Sequence, residues 1–221
     1  MHETDIIERF SKAPVFSLSD LSQIIRNRDY AKKVIARMVE RKKVKRIRKN
    51  LYTFHDDPFL VSTFLMKPSY ISSVSALSYH HMITQMPKEV FCFTSKLPKK
   101  CFFMERISFY HTKFFFGFEM QNYRGFDIPI ATPEKALIDS IGKVPLSVVD
   151  EAFEDANIER MVLYLKKIKK SNTVKRIGYL LEKNGHEAFP ALKKYINDKY
   201  IPLDPMIKRK GGKNRKWKII L

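Results

Sequence analysis

"ERKKVKRIRKNLYTF", residues 40–54, sets seven lysines and arginines in fifteen positions and then closes on an apolar, aromatic run. Such a stretch is either a solvated charge run or a surface shaped to hold a polyanion, and the residues before it decide which. "TDIIERF" (4–10) offers Thr4 as a helix N-cap and places Ile6, Ile7 and Phe10 on one face. "SLSDLSQII" (17–25) begins with Ser17 or Ser19 as cap and turns Leu21, Ile24 and Ile25 inward. "NRDYAKKVIARMVERKK" (27–43) follows after a short turn, with Asn27 as cap. Its Ala31, Val34, Ile35, Met38 and Val39 form an apolar stripe. At about 100° per residue, Asp29, Lys33, Ala36, Arg37 and Glu40 fall on the opposite face, with Tyr30 and Lys32 on its flanks.

The stretch 40–54 then reads as the end of that helix and a β-hairpin. Val44 and Ile47 lie on one arm, Arg48–Asn50 make the turn, and Leu51, Tyr52 and Phe54 make the other arm. Three short helices followed by a small hairpin are the pattern of a winged helix-turn-helix. In that fold the third helix enters the major groove and the hairpin reaches the flanking backbone. The candidate DNA-binding residues are Arg28, Tyr30, Lys32, Lys33 and Arg37 on the helix, and Lys43, Arg46, Arg48 and Lys49 towards the wing. Tyr30 and Arg37 are the candidates for base edges. The bland alternative is that these charges only solubilise a helical unit, since winged helices also serve as protein-interaction modules. Basic residues on both the outward helix and the wing favour duplex DNA, with phosphate contacts supplying most of the affinity.

Composition narrows the classes further. A chain of 221 residues, 44% hydrophobic, with 17 Phe, 10 Tyr and only seven Gly is built to fold into one or two domains. Cys92 and Cys101 provide neither a disulfide framework nor zinc-ligand spacing, which fits a reducing compartment. "MHETDIIERF" has neither the basic start nor the apolar stretch of a signal peptide, and no apolar run approaches the ~18 residues of a membrane span. A cytoplasmic protein is expected. The net charge of +19 is uneven: residues 1–56 carry 14 Lys/Arg against 7 Asp/Glu, and residues 205–221 carry 7 Lys/Arg and no acid. Basic ends around an ordinary middle point to an acidic partner.

"HDDPF" (55–59) reads as a boundary, separating a winged helix-turn-helix in 1–56 from a second domain in 60–221. "YISSVSALSYHHMI" (70–83) reads as a strand, a Ser cap and a helix. "EVFCFTS" (89–95) and "RISFYHTK" (106–113) read as strands, and "FFFGFEMQ" and "FDIPIA" as a pair joined across "NYRG". "TPEKALIDSI" starts a helix, with Thr132 as N-cap, Pro133 at its first position and Glu134 at the positive end of the dipole. Helical patterns follow at 147–155, 159–170 and 173–184, so the fold class is α+β: a winged helix-turn-helix followed by a mixed α/β carboxy-terminal domain. The ending "KRKGGKNRKWKIIL" admits three readings: a basic arm reaching DNA, a docking surface for an acidic partner, or a Gly-Gly turn feeding a last strand through Trp217, Ile219 and Leu221. Lys208, Arg209, Lys210, Lys213, Arg215 and Lys216 are its candidate partner-binding residues.

These blocks, in this order, resemble the AbiEi-type antitoxins and related prokaryotic transcriptional regulators. "RKNLYTF" is similar to the basic turn and aliphatic-Tyr ending of that family's winged helix. "YISSVSALSYHHMI", "MPKEVFCFTSK", "FFFGF", "IATPEKALIDSI", "KRIGYLLEKNG" and the closing "GGKNRKWKIIL" follow in the family's order. His81 departs from it, standing where the family leads one to expect a helix-ending Gly. The resemblance implies a repressor of its own operon that binds operator DNA, as a dimer or in several copies on repeated sites. It also implies neutralisation of a co-encoded nucleotidyltransferase-like toxin by the carboxy-terminal domain. The alternative is a toxin- or RNA-binding interaction module without operator specificity.

No catalytic constellation emerges. Neighbouring helical residues point about 100° apart, so His80 and His81 cannot readily share a metal, and His111 lies on a later strand. In "DEAFED" (150–155), Asp150 with Glu154 and Glu151 with Asp155 would share helix faces at i, i+4, as a metal-dependent nuclease might use or as plain solvated acids. Cys92 alternates within an apolar strand and reads as core. "GGK" (211–213) lacks the rest of a phosphate loop. The chain reads as a non-enzyme with no cofactor and no metal.

Overall fold

A computed structural model of the chain describes residues 3–207 and 211–221. It is a mixed α/β protein with three sheets and two hydrophobic clusters. No helix among the described residues is long and apolar enough to cross a membrane.

The smaller cluster is built by α1 (Glu3–Phe10), β1 (Phe16–Ser17), α2 (Leu18–Ile25), α3 (Arg28–Glu40), β2 (Lys45–Arg48) and β3 (Leu51–Thr53). The first helix begins at Glu3, so Thr4 lies inside it and does not cap it. Ser17 is the cap of α2: its hydroxyl accepts from Asp20 N–H while the Asp20 carboxylate accepts from Ser17 N–H, a reciprocal capping box. Phe16 is the keystone of this unit. Its ring stacks on Phe10 at 4.6 Å and on Phe54 at 5.4 Å, and meets Tyr52 at 5.8 Å, joining the first helix to the hairpin. The sheet order is β1-β3-β2, all antiparallel.

The larger cluster starts at Leu60. Pro58 does not end structure there: it opens α4 (Pro58–Leu65), with Asp57 accepting from Leu60 N–H as cap. A six-stranded mixed sheet in the order β6-β7-β5-β4-β9-β8 forms the centre. Its strands are β4 (Ser69–Ile71), β5 (Glu89–Thr94), β6 (Lys99–Phe103), β7 (Glu105–His111), β8 (Phe118–Tyr123) and β9 (Phe126–Ala131). Around it pack α5 (Ser73–Tyr79), α6 (Pro133–Ser140), α7 (Ile158–Ile168), α8 (Ser171–Lys183) and the short α9 (Phe189–Leu192). Val15, Ile47 and Leu51 also pack against this core, so the amino-terminal sheet leans on it.

Two expectations are corrected. The expected helix at 147–155 is two 3-10 turns, Leu146–Val148 and Glu151–Phe153. The Asp150 carbonyl, which an α-helix would give to residue 154, accepts instead from Phe153 N–H and from the Asn184 side chain. The i, i+4 acid faces therefore do not form, and the Asp150 carboxylate pairs with Lys183. The last strand is shorter than expected: β12 (Ile219–Ile220) lies between β10 (Ile201–Pro202) and β11 (Lys213–Asn214), Trp217 sits in the preceding turn, and Leu221 is exposed. Position 81 keeps the turn a glycine favours although it is His. His81 has φ +58°, and its N–H donates to Ser78 O while Met82 N–H donates to Leu77 O, a Schellman ending to α5.

Beside the central sheet lies a buried polar knot. The Lys135 ammonium, on a fully buried side chain, donates to the Tyr70 hydroxyl at 2.8 Å and to the Asp139 carboxylate. Asp139 also accepts from Tyr70 at 2.9 Å and from Ser72 at 2.8 Å. Burial pushes the Lys135 ammonium below the usual lysine range, with Asp139 opposing the shift. The Tyr70 phenol is held neutral by burial and the adjacent carboxylate. The serine side-chain cap expected for α5 does not form: Ser72 stands at the N-cap and spends its hydroxyl on Asp139.

Candidate nucleic-acid interface

Asn27 sets the orientation of α3: its side chain accepts from Asp29 N–H at 3.1 Å and Tyr30 N–H at 2.9 Å. Before it, Arg26 ends α2 in the left-handed conformation, φ +59°, and turns the chain within two residues. Ala31, Val34, Ile35 and Met38 are buried beneath α3. Arg28, Lys32, Lys33, Ala36 and Arg37 are all exposed on its outer side, with Tyr30 44% exposed.

The hairpin sits beside this helix. Lys45 faces Thr53, Arg46 faces Tyr52 and Arg48 faces Leu51, so Ile47 is an extra residue in a bulge. The turn is Lys49–Asn50, one residue shorter than the expected Arg48–Asn50, because Arg48 stays paired in the strand. Asn50 takes φ +62°, and its carbonyl accepts from Leu18 N–H at 3.2 Å, tying the tip to the start of α2. Arg46, Arg48 and Lys49 are exposed along it.

Ion pairing divides these cations into two groups. Lys32 pairs with Asp29 at 2.9 Å, Lys43 with Glu3 at 2.6 Å, Arg41 with Glu3 at 3.1 Å, and Lys45 with Asp56. The Lys43 hydrogen bond holds the Glu3 carboxyl below the usual carboxylate range, with charge from Arg41 and Arg37 adding to it. Lys43 therefore braces α1 against the start of the hairpin. Arg28, Lys33, Arg37, Arg46, Arg48 and Lys49 form no ion pair among the described residues. Two exposed cations missing from the sequence-based set belong beside them, Arg26 at the turn and Lys42 before the hairpin. Their positive φ marks them as turn residues, and nothing in a Lys/Arg-rich run distinguishes a turn from a helix end.

Neither protein-family models nor curated proteins match this sequence. The remaining candidates therefore rest on geometry alone.

At the carboxy terminus, Lys208, Arg209 and Lys210 lie outside the described residues. Lys213 begins β11 with its ammonium 5.4 Å from the Tyr200 ring, and Arg215 is exposed in the turn before Trp217. Lys216 pairs with Glu182 and lies 4.9 Å from the Phe189 ring centroid. The segment from Lys213 onward is thus part of a packed sheet. The histidines are dispersed: His80 bonds the Ala131 carbonyl at 2.8 Å, His111 the Lys96 carbonyl at 3.1 Å, and His81 is exposed. Among the described residues no three His, Cys, Asp or Glu side chains converge as metal ligands. Cys92 is fully buried, and burial pushes its thiol up to about 12, so it is not a nucleophile at neutral pH.

Proposed function

We propose that residues 3–56 act as a winged helix-turn-helix that binds duplex DNA, and that the protein is a transcriptional repressor of the AbiEi-antitoxin kind. The observation that carries this reading is the outer surface of α3 and the adjoining hairpin, where six cations stand without ion-pair partners. A solvated charge run tends to pair its cations with acids nearby, as Lys32, Lys43 and Lys45 do. Leaving six unpaired on one helix and one hairpin costs self-repulsion that a polyanion relieves. As an α-helix about 10–12 Å across with its side chains, the 13-residue α3 fits a major groove about 12 Å wide. Neutralisation of a cognate toxin by the larger unit is proposed on the sequence resemblance.

Two substitutions divide positioning from reading. Arg48→Ala with Lys49→Ala is expected to weaken binding to every duplex alike and to reduce the slope of log K against log salt by about 2. An unchanged slope, read from anisotropy titrations over several salt concentrations, removes the hairpin from the interface. Arg37→Ala is expected to shrink the ratio between preferred and scrambled duplex by about 5–100-fold, the worth of one good base contact. A uniform loss across sequences would make Arg37 a phosphate contact instead.

A further inference from the structure

A cleft of about 590 Å³ opens on the larger unit, remote in sequence from α3, where β4 and β9 part. The two strands pair only at Ile71 and Ile130. Continuing that parallel register would set Tyr70 beside Pro129 and Pro68 beside Asp127. Proline has no N–H to give a ladder, so the strands separate there. Phe64, Phe115, Phe118 and Met120 line the resulting cleft. Phe118 stacks on Tyr70 at 4.7 Å, and Tyr70 is anchored from behind by its hydroxyl bonds to Lys135 and Asp139, so this wall is preorganised.

Two polar groups face this aromatic space. At the rim stand one cation and one carboxylate, Lys67 and Asp127, both exposed and neither in an ion pair among the described residues. Lys67 lies over the Phe64 ring at 5.1 Å, and Asp127 accepts only a long bond from Asn122 at 3.4 Å. A volume within the ~300–1,000 Å³ of small-molecule sites, aromatic walls and opposite charges at the mouth select the ligand class.

From this arrangement we infer that the cleft binds a small aromatic zwitterion of the α-amino-acid class. The ring lies among the three phenylalanines, the carboxylate meets Lys67, and the ammonium meets Asp127. An anion alone would be repelled by Asp127, and a cation alone by Lys67. The inference is independent of DNA binding.

The test is calorimetric titration of the full chain with L-phenylalanine, phenylacetate, phenethylamine and L-leucine. Phenylalanine is expected to saturate the protein, with each single-charge analogue and leucine at least about tenfold weaker. Lys67→Met should weaken phenylalanine and tighten phenethylamine until the two bind alike, and Asp127→Asn should do the reciprocal with phenylacetate. Thermal melts show that each variant folds, and the ligand series on the unmodified protein decides the matter if one does not. No saturation with phenylalanine at millimolar concentration overturns the inference. So does equal binding of all four compounds, or affinity indifferent to both rim substitutions.

Discussion

Asp139→Ala is expected to remove about 3–5 kcal/mol of folding stability, the penalty for stranding a buried charge. Asp139 is the acceptor for three donors, the Lys135 ammonium and the Tyr70 and Ser72 hydroxyls; alanine leaves both hydroxyls without this acceptor and the ammonium with the Tyr70 oxygen in place of a countercharge. Against a total stability of about 5–15 kcal/mol for a domain of ordinary size, that is enough to populate the unfolded state under mild conditions. Lys135→Met also strands a buried charge but is expected to cost less, because the carboxylate keeps two hydroxyl donors and the apolar chain fills the same space. The asymmetry has a pH signature. Without Asp139, the only group that raises it, the Lys135 pKa falls further below its unfolded value of about 10.4. Between those two values the unfolded chain holds a proton that the folded chain lacks, so stability rises with pH. Urea unfolding of Asp139→Ala should therefore show a deficit relative to the unmodified protein that narrows from neutral pH towards pH ~9. A deficit that stays constant, or a Lys135→Met variant as unstable as Asp139→Ala, contradicts this account of the knot.

Trp217→Ala is expected to cost about 3–5 kcal/mol as a large-to-small core substitution. Trp217 is fully buried, meets Phe189 edge-on at 5.1 Å, and donates its indole N–H to Glu182 at 2.7 Å. It fixes the closing sheet to α8, where Gly178 makes room for it. A Cβ added at Gly178 would lie 2.1 Å from the indole ring. Gly178→Ala should thus destabilise strongly through the same contact, although alanine is the better helix former by about 1 kcal/mol. Trp217→Phe retains ring packing and should lose less than Trp217→Ala. Denaturation followed by circular dichroism ranks the three. A stable Gly178→Ala variant would mean that α8 and the last strand can slide apart.

Much of the fold was legible where the signal is local. Asn27, Ser17 and Thr132 announce helix starts through side chains that reach a nearby N–H, and all three do so. The stripe of Ala31, Val34, Ile35 and Met38 is buried as its period requires. The failures share one cause, contacts made across the sequence. The helix that Pro58 opens behind Asp57 has no legible signal, because its PFLVSTFL sequence is apolar nearly all round and so shows little period. "KKCFF" (99–103) did not read as a strand, since two lysines on an edge strand spoil the alternation. At 147–155 the α-helical spacing was present, but Lys183 and Asn184 take the Asp150 groups. Of the candidate interface, the exposed positions on α3 and the hairpin were readable from period and turn. Which cations are already spent was not: Glu3 and Lys43 are 40 residues apart and meet only in the folded chain. The buried Lys135–Asp139 pair has the i, i+4 spacing of an ordinary surface ion pair, and its burial depends on Tyr70 and Ser72, 65 and 67 residues away from their bonding partners.

The central claim is sequence-preferring duplex binding by α3 and the hairpin. It is tested most directly by fluorescence-anisotropy titration of duplex DNA from upstream of the protein's own gene, beside a scrambled duplex, at several salt concentrations. Five phosphate-facing cations, the unpaired six without the base-reading Arg37, predict a slope of log K against log salt of about −4.5 for one chain. A repressor predicts a preference for its operator of about 10³-fold or more at physiological salt. Weak binding that is equal for the two duplexes and gone at physiological salt would contradict the account, and would assign the unpaired cations of α3 and the hairpin to an acidic partner other than operator DNA.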